Sequence, residues 1–223
     1  MTLIGNSSKD SKYLSRIKEV IEGDQHHPRN NGVRMQAHHI ISAEGMKRSQ
    51  LGKKVEKFGY DINLLPNLAF IPCTLQGACH RNVQLHRGNH TANQDSYDDD
   101  SEPTDYHDMV AEKIIDLRLP LHKECIGSKI ENSQKVISDL NKLSKLILKL
   151  IRDKPGEAPL TRISKNFSHN NVKGCGSVDS LKRYNDNKIC SVSRDHFNKN
   201  AKEQISENIN FKKNDNYILK VGK

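Results

Sequence analysis

Apolar residues recur three and four positions apart over residues 9–22, where Tyr13, Ile17 and Val20 or Ile21 share one side. This period predicts a helix, and Gly23-Asp24 stops it before the polar loop 26–32. Over 33–42 the pattern changes to β-branched and apolar residues around His38-His39, as a strand requires. The basic stretch 46–58 predicts a short helix ending at Gly59. A turn containing Pro66 and Asn67 then enters a short strand over 68–71, able to pair with the first. Residues 80–90 follow a Gly-containing loop and predict a helix, which Gly88 weakens by roughly 1 kcal/mol relative to Ala. Two amphipathic helices come next. Tyr106, Val110, Ile114 and Leu117 line one face from Pro103, with Ser101 as the cap, to the stop before Pro120. Over 133–154, Val136, Ile137, Leu140, Leu143, Ile147, Leu150 and Ile151 form an apolar stripe opposite Lys135, Lys142, Lys145 and Lys149, and Pro155-Gly156 ends it. Core packing accounts for such a stripe better than membrane contact does.

These elements imply an α+β fold with three parts: an N-terminal helix and loop (1–32), a central domain with its supporting helices (33–167), and a loosely structured basic C-terminal extension (168–223). The extension is rich in Asn, Lys, Ser and Gly, with a short apolar group only at Tyr217, Ile218 and Leu219, where a small strand is expected to end it. At 34% hydrophobic and 5% aromatic residues, without Trp, the core is lean and polar loops are expected. The net charge of +9 favours a polyanionic partner, because Lys and Arg displace counterions condensed on phosphates. That charge is uneven: 1–92 carry 13 basic and 7 acidic groups, 93–131 carry 4 and 11, and 132–223 carry 19 and 9. No apolar run is long enough to span a bilayer, and the start of the chain lacks the apolar core of a secretory signal. The five cysteines, Cys73, Cys79, Cys125, Cys175 and Cys190, are an odd set without repeated spacing and are expected as reduced thiols.

The histidines carry the candidate chemistry. Phosphodiester cleavage needs an activated water, an electrophile on the phosphate and stabilisation of the leaving oxygen, which one metal and one neutral imidazole can supply. His86 and His90 stand four apart, so on a helix both rings could ligate one cation. Adjacent strand residues point to opposite sides, so His38-His39 belongs at a strand end where one ring meets metal and the other water. Any two of eleven histidines can fall four apart by accident, so the pair gains weight only from its context. His26, His27, His107, His122, His169 and His196 lack partners at informative spacing and are expected in solvent. The run Asp98-Asp99-Asp100 lacks the spaced ligands of a calcium loop and reads as a solvated segment.

Gln36-Ala37-His38-His39-Ile40-Ile41, then Gly59-Tyr60-Asp61-Ile62-Asn63, then Asn67, then His86-Arg87-Gly88-Asn89-His90 occur in an order that resembles the AHH nuclease family of the HNH/endonuclease VII superfamily. The resemblance covers about residues 34–92, with a weaker echo around Tyr106 to Leu117. It implies a ββα-metal core, with the strands carrying the histidine pair and Asn67 and the helix carrying His86 and His90. His38, His86 and His90 are then ligands of one divalent ion (Mg, Zn, Ni or Mn), and His39 is the general base. Asn67 would fix the turn that orients His39, and Arg87 would contact a phosphate. The segment Cys73 to His80 is longer than the pattern needs, and Cys73, Cys79 and His80 could make a structural metal site.

The resulting expectation is a metal-dependent endonuclease cutting DNA, with RNA as the other substrate. The resemblance further implies a bacterial toxin module: an antibacterial effector made in the cytoplasm, secreted without a classical signal peptide, acting in the cytoplasm of a target cell and blocked by a cognate immunity protein, with no role for a membrane. The rival is a zinc-stabilised, non-catalytic nucleic-acid-binding module. A closed four-ligand site would mark that rival, whereas a catalytic site keeps a position open.

Overall fold

The two predicted strands pair antiparallel as β1 (Met35–His39) and β2 (Leu68–Pro72), with Met35 opposite Pro72 and His39 opposite Leu68. A computed structural model describes residues 12–87, 103–122, 126–168, 171–197, 209–213 and 215–223. β2 is buried along its whole length. One edge of β2 faces β1, and the other is covered by the last residues: Gly222 N–H donates to Leu68 O (2.6 Å) and Phe70 N–H to Lys223 O (3.0 Å). Backbone groups that would otherwise be exposed at a sheet edge are thereby paired.

Helices build the rest of the core. α1 (Lys12–Ile21) buries Ile17 and Ile21. Between the strands, α2 (Ala43–Arg48) and α3 (Gly52–Lys57) replace the single helix predicted over 46–58. The break is at Gln50, whose φ of 58° no continuing helix can contain. Ser42 starts α2 earlier than the apolar pattern suggests, because its side chain caps the Gly45 N–H at 3.0 Å.

After β2, α4 (Leu75–Arg81) occupies what the sequence presents as a loop. Thr74 caps it through the Gly77 N–H, and Asn82, at φ 51°, ends it in the left-handed conformation that Asn tolerates. The helix predicted over 80–90 is therefore displaced towards the N-terminus. Residues 83–87 are irregular, and the rest of that prediction, 88–90, lies outside the described residues, as does the acidic run at 98–100.

α5 (Pro103–Asp116) packs on α2, and α6 (Ile126–Asp153) begins before the predicted 133. The approach of α5 to α2 requires Gly45: a Cβ there would lie 2.6 Å from Val110 Cγ1. α6 buries Val136, Leu140, Leu143, Ile147 and Ile151 of the predicted stripe, together with the hydroxyl residue Ser144, while Ile137 and Leu150 at its margins are half-buried. Among the described residues no helix is long and apolar enough to cross a membrane.

Residues 171–197 hold little regular structure beyond one 3-10 turn at Leu181–Arg183, and Tyr217 to Leu219 form no strand. The segment is nevertheless anchored. Cys175, Leu181 and Cys190 join Leu75, Ala78, Cys79, Leu85, Ile163 and Phe167 in a second, smaller apolar core beside α4.

Candidate active site

β1 ends in the histidine pair, and the alternation of strand side chains sends the two rings apart. His38 is 2% exposed, while His39 is half-buried, with its ring 4.7 Å from that of Tyr13 on α1. Ala69 stands opposite His38 in the strand register and leaves room for the imidazole.

The proton positions follow from the partners. Tyr106 OH, brought in by α5, donates its single proton to Ile40 O at 2.6 Å. The 2.9 Å contact between His38 Nε2 and the same hydroxyl then has His38 Nε2–H as donor. His38 Nδ1 is left with a lone pair, and it lies 3.1 Å from His86 Nε2. His86 is 5% exposed, and burial holds its pKa down from 6.5 to about 4, so the ring is neutral near pH 7. Two neutral imidazoles converging at this distance are suited to hold a divalent cation.

His39 has a different environment. Its Nε2 is 2.8 Å from Asn63 Oδ1, which as an acceptor fixes the proton on Nε2 and leaves Nδ1 as the basic nitrogen. Asn63 N–H donates to Asp61 Oδ1 (2.8 Å), and Asn63 O accepts from Arg16 Nη2 (3.1 Å). Asn67 Nδ2 donates to Ile62 O (2.9 Å) and Ile41 O (3.0 Å), while Asn67 Oδ1 accepts from Ile41 N–H (2.7 Å) and from the Ser144 hydroxyl of α6 (2.9 Å). Asn67 thus ties the end of β1 to the turn carrying Asn63.

Of the predicted site residues, the fold joins His38 to His86 and leaves His39 on the other side of β1, with Asn67 bonded to the end of that strand; His90 lies outside the described residues. His86 stands on the irregular connector after α4, held by its own N–H to Pro72 O (2.9 Å), and not on a helix. Arg87 Nε donates to Cys73 O at 3.0 Å, which directs the guanidinium from the same connector. Asn63 and Tyr106 were not legible as site residues. Asn63 lies in a block the family resemblance singles out, and Tyr106 was visible only as one apolar position of a helix face.

Cys73, Cys79 and His80 do not converge. Cys73 is half-buried, with its backbone bonded to Arg34 and Arg87. His80 Nε2–H donates to Phe211 O (2.7 Å), and its Nδ1 accepts from His196 N–H (3.0 Å), so both ring nitrogens are used. Cys79 gathers instead with Cys175, Cys190 and His196. Three histidines expected in solvent are buried: His196, His27, and His107, whose Nδ1 accepts from the Ser42 hydroxyl at 2.8 Å. His26 and His122 are exposed, and His169 lies outside the described residues.

A family model described as a nuclease family of the HNH/ENDO VII superfamily with conserved AHH matches residues 21–147, a span that contains Ala37-His38-His39, Asn67 and His86. No curated protein and no solved structure matches the chain.

Proposed function

Because the chain belongs to the AHH nuclease family of the HNH/ENDO VII superfamily, it is a metal-dependent endonuclease with a nucleic-acid substrate, and we propose that it hydrolyses DNA with His39 as general base. The observation that carries this reading is the division of the histidine pair. His38 Nδ1 and His86 Nε2 face each other at 3.1 Å, while His39, on the other side of β1, is oriented by Asn63. When bound, a divalent cation supplies the Lewis acid that offsets charge on the phosphorane-like transition state and the departing 3′ oxygen. His38 and His86 would hold it, with His90 as the third ligand implied by the family.

His39 Nδ1 takes the proton from the attacking water, and Asn63 Oδ1 steadies the imidazolium that results. Asn67 and Ser144 keep the Asn63 turn in register with β1. Arg87 binds a phosphate oxygen with the guanidinium nitrogens beyond Nε. The excess of basic groups draws the polyanion in, and an acidic immunity protein covering the same surface would block it. In this reading the chain is a bacterial toxin module, exported to act in the cytoplasm of a target cell.

The test is plasmid nicking beside metal titration, with an RNA of similar length as competitor substrate. His38→Ala should lose metal affinity, since one ligand is gone. His39→Ala should keep metal and DNA binding but cut about 10²-fold more slowly, the range for loss of a general base. If His39→Ala cleaves like the parent, or loses its metal, the assignment of His39 is wrong. Preferential cutting of RNA would overturn the substrate.

A further inference from the structure

Four ligand-type atoms meet away from the histidine pair. Cys79 Sγ from α4, Cys175 Sγ, Cys190 Sγ and His196 Nε2 all lie within 4.8 Å of one another, and all four residues are buried. Cys175 Sγ is 3.5 Å from Cys190 Sγ, and His196 Nε2 is 3.4 Å from each of these sulfurs. A tetrahedral zinc ion, with bonds of about 2.3 Å to sulfur and about 2.0–2.1 Å to nitrogen, has edges of about 3.8 Å between sulfurs and about 3.6 Å from sulfur to nitrogen. The three edges among Cys175, Cys190 and His196 are shorter than these by a few tenths of an ångström, and Cys79 Sγ lies within 4.8 Å of all three atoms.

Buried cysteines often serve simply as small apolar residues. This cluster lies in the smaller apolar core, yet polar groups are built around its sulfurs. Cys175 and Cys190 each open a tight turn of the same design, closed by Val178 N–H to Cys175 O and by Ser193 N–H to Cys190 O. In each turn the N–H two residues on, of Ser177 and of Val192, is bonded to the cysteine. His80 holds the backbone N–H of His196, which sets where that imidazole starts.

Arg194 lies 6% exposed beside the cluster, its NH groups bonded to Asn82 Oδ1, Asn166 O and Ser168 O. Its Nε is buried without a hydrogen-bond partner. The Cβ missing from Gly174 would sit 2.5 Å from Cys79 Sγ and 3.0 Å from Arg194 Nε, so sulfur and guanidinium flank one small gap. Three thiolates around a divalent ion carry one net negative charge, and a buried cation next to them balances it. Gly174 itself adopts φ +57° and cannot be larger.

We propose that Cys79, Cys175, Cys190 and His196 form a structural zinc site that fastens residues 171–197 to α4. Binding releases the three thiol protons to solvent, and four protein ligands close the coordination shell, leaving no position for water or substrate. A segment of this length cannot bury enough apolar surface to fold alone, and a metal supplies what its small core lacks. The fastening also bears on the nuclease site, because α4 runs through Asn82 into the connector that carries His86.

Metal analysis of the purified full-length chain tests this in a background where the other metal site is disabled. The His38→Ala, His86→Ala variant should retain about one equivalent of zinc after dialysis against a mild chelator, as a closed thiolate site does. Adding Cys175→Ser and Cys190→Ser should remove it. Replacing zinc by Co²⁺ in the His38→Ala, His86→Ala variant gives a readout that does not depend on the cysteine variants folding. A thiolate-to-cobalt charge-transfer band with strong tetrahedral visible bands is expected, and Cys73→Ser should leave both in place. Absence of zinc and of that band, or zinc retained without Cys175 and Cys190, would overturn the site.

Discussion

Tyr106→Phe removes one oxygen atom and tests how His38 is prepared for metal. The lost hydroxyl donates to Ile40 O at 2.6 Å and accepts from His38 Nε2–H at 2.9 Å, in a place where the tyrosine is wholly buried. Two buried polar groups lose their partner, at about 1–3 kcal/mol each before relaxation. A net loss of about 2–4 kcal/mol would lower Tm by roughly 5–15 °C in a chain of this size. The more informative effect is on the imidazole. Without its acceptor, His38 is free to carry its proton on Nδ1, the nitrogen that faces His86, and loss of such an orienting partner typically costs 10–100-fold in metal affinity. Calorimetric titration with Mn²⁺, which thiolates bind poorly, reads this site separately from the cysteine cluster. Val110→Ala is the control, since it thins the contact of α5 with α2 without touching His38. Lower stability in both variants but weaker Mn²⁺ binding only in Tyr106→Phe is the expected result. Equal Mn²⁺ affinity in Tyr106→Phe and the parent would refute the tautomer argument.

Asn63→Ala should slow cleavage about 10-fold or more while leaving metal affinity unchanged, because it frees His39 Nε2 and no metal-facing nitrogen; single-turnover nicking beside the Mn²⁺ titration checks it. Gly45→Ala should destabilise the fold by about 1–3 kcal/mol through the clash with Val110, measured by urea unfolding. Burial against Phe70 and Tyr217 lowers the pKa of His27 from 6.5 to about 4. Its contribution is therefore complete above pH 6.5 and falls by about 3 kcal/mol as pH drops to 4, where the unfolded chain takes up a proton that the folded one refuses. His27→Asn, which keeps an acceptor for the Arg29 N–H, should flatten the pH dependence of unfolding in that window.

Long periodic elements were legible in the sequence and short capped ones were not. α5 and α6 repeat their apolar face over several turns, β2 is apolar throughout, and β1 is marked by Val33, Ile40 and Ile41 on either side of it. α4 has only seven residues, among them Gly77 and His80, and its limits come from the Thr74 side chain and the left-handed Asn82. The break between α2 and α3 has even less signal. Gln50 is no turn former, and it is placed by its N–H to Lys47 O and by the Ser49 hydroxyl, which accepts from the Leu51 N–H.

The histidines could be found by spacing and the resemblance implies their separate jobs, but the proton positions those jobs need could not be read, because a distant partner decides which nitrogen holds the proton. His39 is set by Asn63, 24 positions away; His38 by Tyr106, 68 away; His80 by Phe211, 131 away. The cysteines hide in the same way, since Cys79 meets its partners only when residues 171–197 fold back on α4. Catalytic and structural metal readings looked like rivals in the sequence because both drew on residues 73–90; in the fold they fall on different side chains. With two sites, loss of cleavage in chelator cannot by itself identify the catalytic ion, because removing zinc from the cysteine cluster would loosen the connector that holds His86. Returning Zn²⁺ first should restore the fold, as read by near-ultraviolet circular dichroism. Cleavage should then return in the His38-containing chain and stay absent from His38→Ala, so the order of recovery separates the ion that shapes the protein from the one that serves cleavage.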